Sequence, residues 1–189
     1  MAAVFMSDRT AQMRLAPMFA FAVMATPLWA AGFNDDTPPT PTETTTACAE
    51  GLVWDEEAES CVAPKESRLG DDGLYRAVRE LAYAGRYDGA KAALAAMSDQ
   101  NDTRVLTYRG FLARKTGDFA AAEAFYTAAL AVDPDNLLAR SYYGQGLVER
   151  GAYEAARAEL SEIRRRGGRN TWAEAALGLA LASGTGPAY

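Results

Sequence analysis

The sequence contains no histidine among its 189 residues. Histidine is the side chain whose ordinary pKa lies closest to neutral pH, so the most common general base of enzymes is absent. No strand is evident in the sequence, so no glycine-rich phosphate loop follows one, and the serines have no partnered base. We therefore expect no enzyme activity, no catalytic residues and no bound cofactor.

Charge is missing from the stretch Leu15 to Phe33, and two arginines precede it. Pro27 interrupts the stretch shortly before the small residue Ala30. A positive start, a short apolar core and a small residue at the cleavage position are typical of a secretory signal peptide, which we predict for residues 1–30. The alternative is an uncleaved membrane anchor, because the run approaches the length of about 20 residues that spans a bilayer. Membrane contact is expected only through this segment, if it is not cleaved.

Basic residues are scarce between Phe33 and Gly73, where eleven acidic side chains face only Lys65 and Arg68. From Leu74 onward, thirteen acidic and fifteen basic side chains nearly balance. Nucleic-acid-binding domains carry a basic patch on their folded part, and this distribution does not supply one. We therefore expect no nucleic-acid partner.

Cysteine is limited to Cys48 and Cys61. Structural zinc normally takes four cysteine or histidine ligands, so no metal site is predicted. Redox-active pairs are usually spaced more closely than these two residues. An even number of cysteines in an exported chain favours a disulfide. We predict that Cys48 and Cys61 are bonded and that residues 48–70 form a small two-cysteine segment, which we call the clasp.

Trp54 lies inside the loop that this disulfide would close, and it admits two interpretations. An exposed aromatic residue on a small disulfide module could bind peptidoglycan or another glycan, as in a structural protein of the cell envelope. Alternatively, Trp54 covers the disulfide and docks the clasp on the first helix. We favour the packing interpretation.

Residues 31–47 are rich in threonine, proline and acidic side chains. Proline fixes an extended backbone and removes hydrogen-bond donors, and threonine with acidic residues cannot build a core. We predict a disordered linker that holds the folded part away from the amino terminus. Because the amino-terminal tail is acidic, it could also lie across basic groups of the folded part and block them.

Three glycines recur at a regular spacing in the rest of the chain. Gly85, Gly117 and Gly151 are separated by nearly equal intervals, and each is followed by an aromatic residue two positions later and an alanine five positions later. Apolar residues around them recur at helical intervals. A period of about 34 residues, with a helix-turn-helix in each unit, is typical of a stacked helical repeat.

The period predicts an all-α superhelix of about three helical hairpins and a capping helix, preceded by a disordered tail with the clasp. Pro134 cannot extend a helix and Asn136 is a good cap, so one helix ends and the next begins between them. The expected helices are, in order, 73–84, 86–97, 102–116, 118–132, 136–150, 152–166 and 171–183.

The segment 103–136 resembles a tetratricopeptide repeat. Leu106 stands where that family often has tryptophan, and Arg109 replaces its usual leucine. Segments 71–102 and 137–170 are similar but more degenerate, and 171–189 resembles the capping helix and tail that such arrays need. The residues that carry the resemblance in the middle segment are Gly110, Gly117, Ala122, Tyr126, Ala129 and Pro134.

The chain also resembles small exported repeat proteins of Gram-negative bacteria that carry a short two-cysteine segment. This implies a periplasmic or secreted protein of the cell envelope. The family resemblance implies an interaction scaffold in which the first helix of each hairpin lines a groove for a protein or an extended peptide. Aromatic residues and arginines, which dominate interface energies, occur at the groove positions. An alternative is that the tyrosines pack on the clasp and the bases are solvated. The predicted groove residues are Tyr75, Arg79, Tyr83, Thr107, Phe111, Arg114, Lys115, Ser141 and Gln145.

Overall fold

The computed structural model describes Met1 and residues 37–187. The chain divides into two units, Met1–Gly32 and Phe33–Tyr189, and all elements described below belong to the second. Apart from Met1, the predicted signal peptide and positions 31–36 of the predicted linker lie outside the described residues. Within 37–187, no helix is both long and apolar enough to cross a lipid bilayer.

Seven helices follow one another between residues 71 and 183, and no strand occurs in that range. Each begins and ends within two residues of the expected bounds, so the all-α prediction for this part is confirmed. Before them, the described chain forms α1 (Glu43–Thr46), β1 (Val53–Asp55) and β2 (Ser60–Val62). The seven helices are α2 (Asp71–Tyr83), α3 (Tyr87–Ala96), α4 (Thr103–Lys115), α5 (Phe119–Val132), α6 (Leu137–Glu149), α7 (Tyr153–Arg165) and α8 (Trp172–Ser183).

The three periodic glycines end α2, α4 and α6. Gly85, Gly117 and Gly151 have φ angles of 75°, 86° and 77°, in the left-handed region that glycine adopts without steric cost. The amide that follows each glycine bonds to the carbonyl five residues earlier, at 2.8–2.9 Å. This is the glycine-terminated helix end that satisfies otherwise unpaired carbonyls, so the same turn is built three times.

The helices pack as successive hairpins, α2 with α3, α4 with α5 and α6 with α7, and α8 packs on α6 and α7. Glycines allow the closest approaches. A β-carbon at Gly110 would lie 2.5 Å from the Tyr126 ring, and one at Gly144 would lie 2.6 Å from a Leu177 methyl group. These two glycines therefore allow α4 to approach α5 and α6 to approach α8 closely.

The last helix, α8, is the predicted capping helix of the stack. Its inner side is buried against α6 and α7, but Leu179 on its outer side is 56% exposed. Ala175 and Ala182 are also exposed, so this end of the stack presents an apolar surface.

The clasp contains a two-stranded antiparallel hairpin that the sequence analysis did not predict. Val53 pairs with Val62 and Trp54 with Cys61. The disulfide between Cys48 and Cys61 is present, with the two Cα atoms 5.5 Å apart, so the predicted bond is confirmed. The expectation that no strand occurs is wrong for this segment, because each strand has only three residues and leaves no readable alternation.

Asp55 fixes the turn of the clasp. Its Oδ1 accepts from the amides of Glu57 and Ala58 at 3.0 Å each, and its Oδ2 accepts from the Arg68 amide at 2.6 Å. These backbone hydrogen bonds, first the one from Arg68, hold the pKa of the Asp55 carboxyl below its ordinary value.

We expect the clasp to loosen in acid because of this carboxylate. A carboxyl whose pKa is lower in the folded than in the unfolded state contributes stability above its unfolded pKa, and the contribution is lost as pH falls through the folded pKa. Amide NMR signals of residues 53–62 should therefore broaden or shift below about pH 4. Asp55→Asn should show the loosened clasp already at neutral pH. If the variant kept the same acid transition, another group would be responsible.

The described part of the predicted linker is not a disordered spacer. Thr42 caps α1 through a hydrogen bond from the Thr44 amide to its side chain at 3.2 Å. Thr44 is buried, and its hydroxyl accepts from the Trp54 amide at 3.1 Å. The segment packs on α2 and β1. Hydrogen bonds to residues distant in the sequence hold it there, although its amino-acid composition favours disorder.

Candidate binding face on the first helices of the hairpins

The nine predicted groove residues lie on α2, α4 and α6, the first helices of the three hairpins. We call the surface that they form the groove face. Direct contacts connect the helices across it: the Tyr83 ring stacks on Phe111 with centroids 5.9 Å apart, and Arg114 donates to Gln145 Oε1 at 3.1 Å. The structure therefore places the predicted residues together, and partner binding by them stays a prediction.

The groove face is largely buried, in contrast to the open groove that the sequence suggested. Of the nine residues, Tyr83 and Lys115 are half-buried. The other seven are each at most 7% exposed: Tyr75, Arg79, Thr107, Phe111, Arg114, Ser141 and Gln145. An approaching partner would therefore meet the exposed parts of Tyr83 and Lys115 before any other of the nine.

Tyr83 connects the first hairpin to the last helices. Its hydroxyl lies 2.7 Å from the Tyr142 hydroxyl on α6 and accepts from Trp172 Nε1 on α8 at 3.0 Å. Burial raises the pKa of Tyr83, while these hydrogen bonds act in the opposite direction. The residue thereby bridges the groove face from α2 to α8 and occupies space that a ligand would otherwise enter.

A row of tyrosines from the three hairpins lies beneath this bridge. Tyr75 and Tyr108 meet edge to face with centroids 5.7 Å apart, and Tyr108 and Tyr142 do so at 5.9 Å. Such edge-to-face pairs add stability beyond the buried area. Tyr108 and Tyr142 were not predicted from the sequence, although the interval from Gly117 to Gly151 relates them.

The basic residues of the groove face are engaged within the protein. The Arg114 side chain is fully buried and pairs with Glu149 at 2.5 Å. Lys115 Nζ lies 5.8 Å from the centre of the Phe111 ring. Burial, followed by repulsion from Arg114, lowers the pKa of Lys115. The bases are therefore not simply solvated, and Lys115 is the half-buried cation that the groove face offers to an acidic group.

The two predicted hydroxyl residues stabilise the stack. Thr107 Oγ1 donates to the Thr103 carbonyl at 2.7 Å and accepts from Asn136 Nδ2 at 3.0 Å, which joins α4 to the start of α6. Ser141 Oγ accepts from Gln145 Nε2 at 3.2 Å. These contacts explain the burial of both hydroxyl groups without a ligand.

A segment of the chain itself lies along α2, and we call residues 37–46 the strap. Four hydrogen-bond donors of the strap bind the carboxylate of Glu80, a residue that is 6% exposed. The amide and hydroxyl of Thr42 donate to the Glu80 carboxylate at 2.7 and 2.6 Å, and the amide and hydroxyl of Thr45 donate to the same group. A buried carboxylate with this many donors fixes the position of the turn around α1.

Arginines of α2 and of the turn after it bind the strap through its backbone. Arg79 donates to the Thr37 carbonyl at 2.7 Å. Arg86 donates to the carbonyls of Thr44, Thr45 and Cys48 at 2.8–3.2 Å. Because these contacts use main-chain oxygens, they hold the segment in the manner of a bound peptide. The sequence suggested that acidic side chains of the tail would cover basic groups of the folded part. Arg79 instead contacts the main-chain carbonyl of Thr37. Asp35 and Asp36 lie outside the described residues.

Prolines of the strap face the aromatic bridge. A cavity of about 320 Å³ separates Pro39 and Pro41 from Tyr83 and Trp172. At the other end of the groove face, Gly186 packs against the ends of the Arg114 and Glu149 side chains, which would have to shift to admit a β-carbon. Both ends of the described chain therefore contact the groove face.

Trp54 lies beside the first long helix, and both interpretations of its role stay predictions. It is half-buried and lines a cleft of about 110 Å³ between the clasp and α2, together with Leu69 and Arg76. Within residues 37–187, no group of three or more acidic or cysteine side chains is arranged to hold a metal ion. The groove face is therefore built of aromatic rings, arginines and hydrogen bonds to the backbone of the strap.

The comparisons with known proteins agree with this architecture. Residues 113–181 match the family model of the tetratricopeptide repeat, a segment that runs from the end of α4 into α8. No curated protein and no solved structure matches the chain. Tetratricopeptide repeats generally mediate protein–protein interactions, and the family typically forms non-enzymatic scaffolds. The matched residues, together with the three glycine-terminated hairpins, support the resemblance to tetratricopeptide repeats that the sequence indicated.

Proposed function

We propose that this protein is an exported interaction scaffold of the cell envelope that binds an extended peptide of a protein partner on its groove face. The observation that carries this proposal is the strap. Arg79, Glu80 and Arg86 already hold the strap, which contains the short helix α1, by its carbonyl and amide groups. A surface that binds one peptide through main-chain groups can bind another with the same backbone geometry.

Export is supported by two independent features. The sequence of residues 1–30 has the charge and apolar pattern of a signal peptide. The Cys48–Cys61 disulfide requires an oxidising compartment, such as the periplasm or the extracellular space, to persist.

The partner is expected to carry acidic character. Lys115 and Tyr83 are the two half-buried groove residues. Burial lowers the pKa of Lys115, so a carboxylate of the partner nearby would stabilise its charged form. The buried Arg114 side chain pairs with the partly exposed Glu149 and contributes to the fold, so changing Arg114 would test stability rather than binding.

Chemical crosslinking in an envelope extract tests the proposal. The full-length chain should be crosslinked to a protein partner, and Lys115→Glu should reduce the yield about fivefold or more, since it reverses the charge that the acidic segment meets. Arg157→Glu is the matched control, because Arg157 is an exposed residue of α7 paired with exposed Glu154. Equal yields from both variants would show that the groove face is not the binding site.

A second variant tests whether the strap competes with the partner. Glu80→Gln removes the charge that accepts from Thr42 and Thr45, so the strap should detach more readily and the crosslinking yield should rise. An unchanged yield would mean that strap and partner bind different surfaces. The glycan-binding alternative for Trp54 stays an untested prediction, which loss of peptidoglycan retention in Trp54→Ala would support.

A further inference from the structure

A cleft between the second helices of the first two hairpins is not used by the groove face. It lies between α3 and α5, with α4 as its floor, and has a volume of about 340 Å³. Buried Leu94 and Leu112 and half-buried Phe125 give it an apolar surface. Lys91 and Arg109 bring two cations to its lining. Its volume falls in the range of pockets that accept ligands or inserted side chains.

The next repeat offers an internal comparison for this cleft. The interval from Gly85 to Gly117 relates α3 to α5, and the interval from Gly117 to Gly151 relates α4 to α6. By these intervals Lys91 corresponds to Glu123, Arg109 to Tyr143 and Thr116 to Arg150. We call the corresponding surface of the next repeat, where α5 meets α6, the second cleft; its side chains differ from those of the first cleft.

In the second cleft, a carboxylate and an aromatic ring connect the neighbouring helices. Glu123 Oε1 accepts from the Tyr143 hydroxyl at 3.0 Å, and Glu123 Oε2 accepts from Arg150 at 3.0 Å. The Tyr143 ring also packs on Tyr126, with centroids 6.0 Å apart. One acidic group and one aromatic group thus join α5 to α6.

The first cleft has neither group at the corresponding positions. Lys91 stands in place of the carboxylate and pairs with exposed Asp88 at 3.1 Å. Arg109 stands in place of the tyrosine; it donates to the side-chain and backbone oxygens of Gln100, and its guanidinium lies 6.0 Å from the centre of the Phe125 ring. The carboxylate of Asp118, which also lines the cleft, accepts from the Ala121 amide.

We propose that this cleft binds a segment of a protein partner that supplies both missing groups. An aromatic side chain of the partner fills the apolar space between α3 and α5. An adjacent carboxylate of the partner contacts Lys91 and Arg109, as Glu123 contacts Arg150 in the second cleft. Charge complementarity selects an acidic segment, since Lys91 reverses the charge of its counterpart Glu123. This binding site goes beyond the groove face and does not depend on it.

Amide NMR of the full-length ¹⁵N-labelled chain tests this inference. The probe is the peptide acetyl-Ala-Glu-Phe-Glu-Ala-amide, added to millimolar concentration. Signals of residues 91–95 and 118–125 should shift in a saturable manner. The double substitution Lys91→Glu with Arg109→Tyr copies the second cleft, so it should keep the fold and weaken binding about tenfold or more. Arg157→Glu, at the equivalent position of the third hairpin, is the matched control and should bind as the original chain does.

Any one of several results would overturn the inference. They are an absence of shifts at millimolar peptide, equal affinity of a peptide with alanine in place of phenylalanine, unchanged binding by the double variant, and displacement of the peptide by an equal concentration of dodecanoate. The last result would assign the cleft to a small amphipathic carboxylate. Shifts confined to the groove residues of α2, α4 and α6 would also overturn it, while leaving the proposed function intact.

Discussion

Replacing Gly110 with valine is expected to lower the free energy of unfolding by about 3 kcal/mol. A β-carbon at this position would lie 2.5–2.9 Å from three atoms of the Tyr126 ring. That ring is 1% exposed, so it cannot move aside without disturbing the core between α4 and α5. Valine adds two further methyl groups at the same point. Chemical denaturation followed by circular dichroism measures the loss.

Gly178 provides the matched control for this substitution. It also lies inside a helix, α8, but nothing lies within 4 Å of the place where its β-carbon would be. Gly178→Ala should therefore stabilise the protein, by up to about 1 kcal/mol, because alanine favours the helix over glycine. If Gly110→Val were as stable as the original chain, α4 and α5 would not pack at the described distance.

Removal of the disulfide is the second change with a large expected effect. Cys48→Ser with Cys61→Ser opens a loop whose ends are 13 residues apart in sequence. In the chain-entropy account, a loop of this length stabilises by about 3 kcal/mol. The loss should appear in the clasp and the strap, because Arg86 binds the Cys48 carbonyl together with those of Thr44 and Thr45.

The last helices should remain folded in this variant. Val148, Ile163 and Leu177 belong to a core cluster that contains no residue of the clasp. Limited proteolysis should therefore cut the variant within residues 37–70 and spare residues 137–183. Adding a reductant should reproduce this pattern in the original chain and change nothing further in the double variant. Cleavage spread evenly along the chain would show that clasp and repeats unfold together.

The helical hairpins could be predicted from the sequence because each turn depends on a local signal. A glycine with a positive φ angle, a helix cap such as Asn136 and apolar residues at helical intervals all act within a few residues. The strap could not be predicted in this way. Its order depends on Glu80, which lies 35 and 38 residues from the threonines that it binds. Local composition alone therefore suggested a disordered linker.

The groove face could be predicted in position but not in accessibility. The repeat period places its residues on the first helices, which the structure agrees with. Burial depends on Tyr83 reaching Tyr142 and Trp172, which are 59 and 89 residues away in the sequence. The cleft between α3 and α5 also had a sequence signal, because Arg109 departs from the residue usual in this family. The signal can be interpreted only when Arg109 is compared with Tyr143, the corresponding residue of the next hairpin.

A nuclear Overhauser spectrum tests the stacked-hairpin architecture most directly. The account predicts cross-peaks between the Gly110 α-protons and the Tyr126 ring, which report packing within a hairpin. It also predicts cross-peaks between the Gly144 α-protons and the Leu177 methyl groups, which report packing of α8 on the preceding hairpin. A helical protein that lacked either set of cross-peaks would contradict the stack on which the binding surfaces depend.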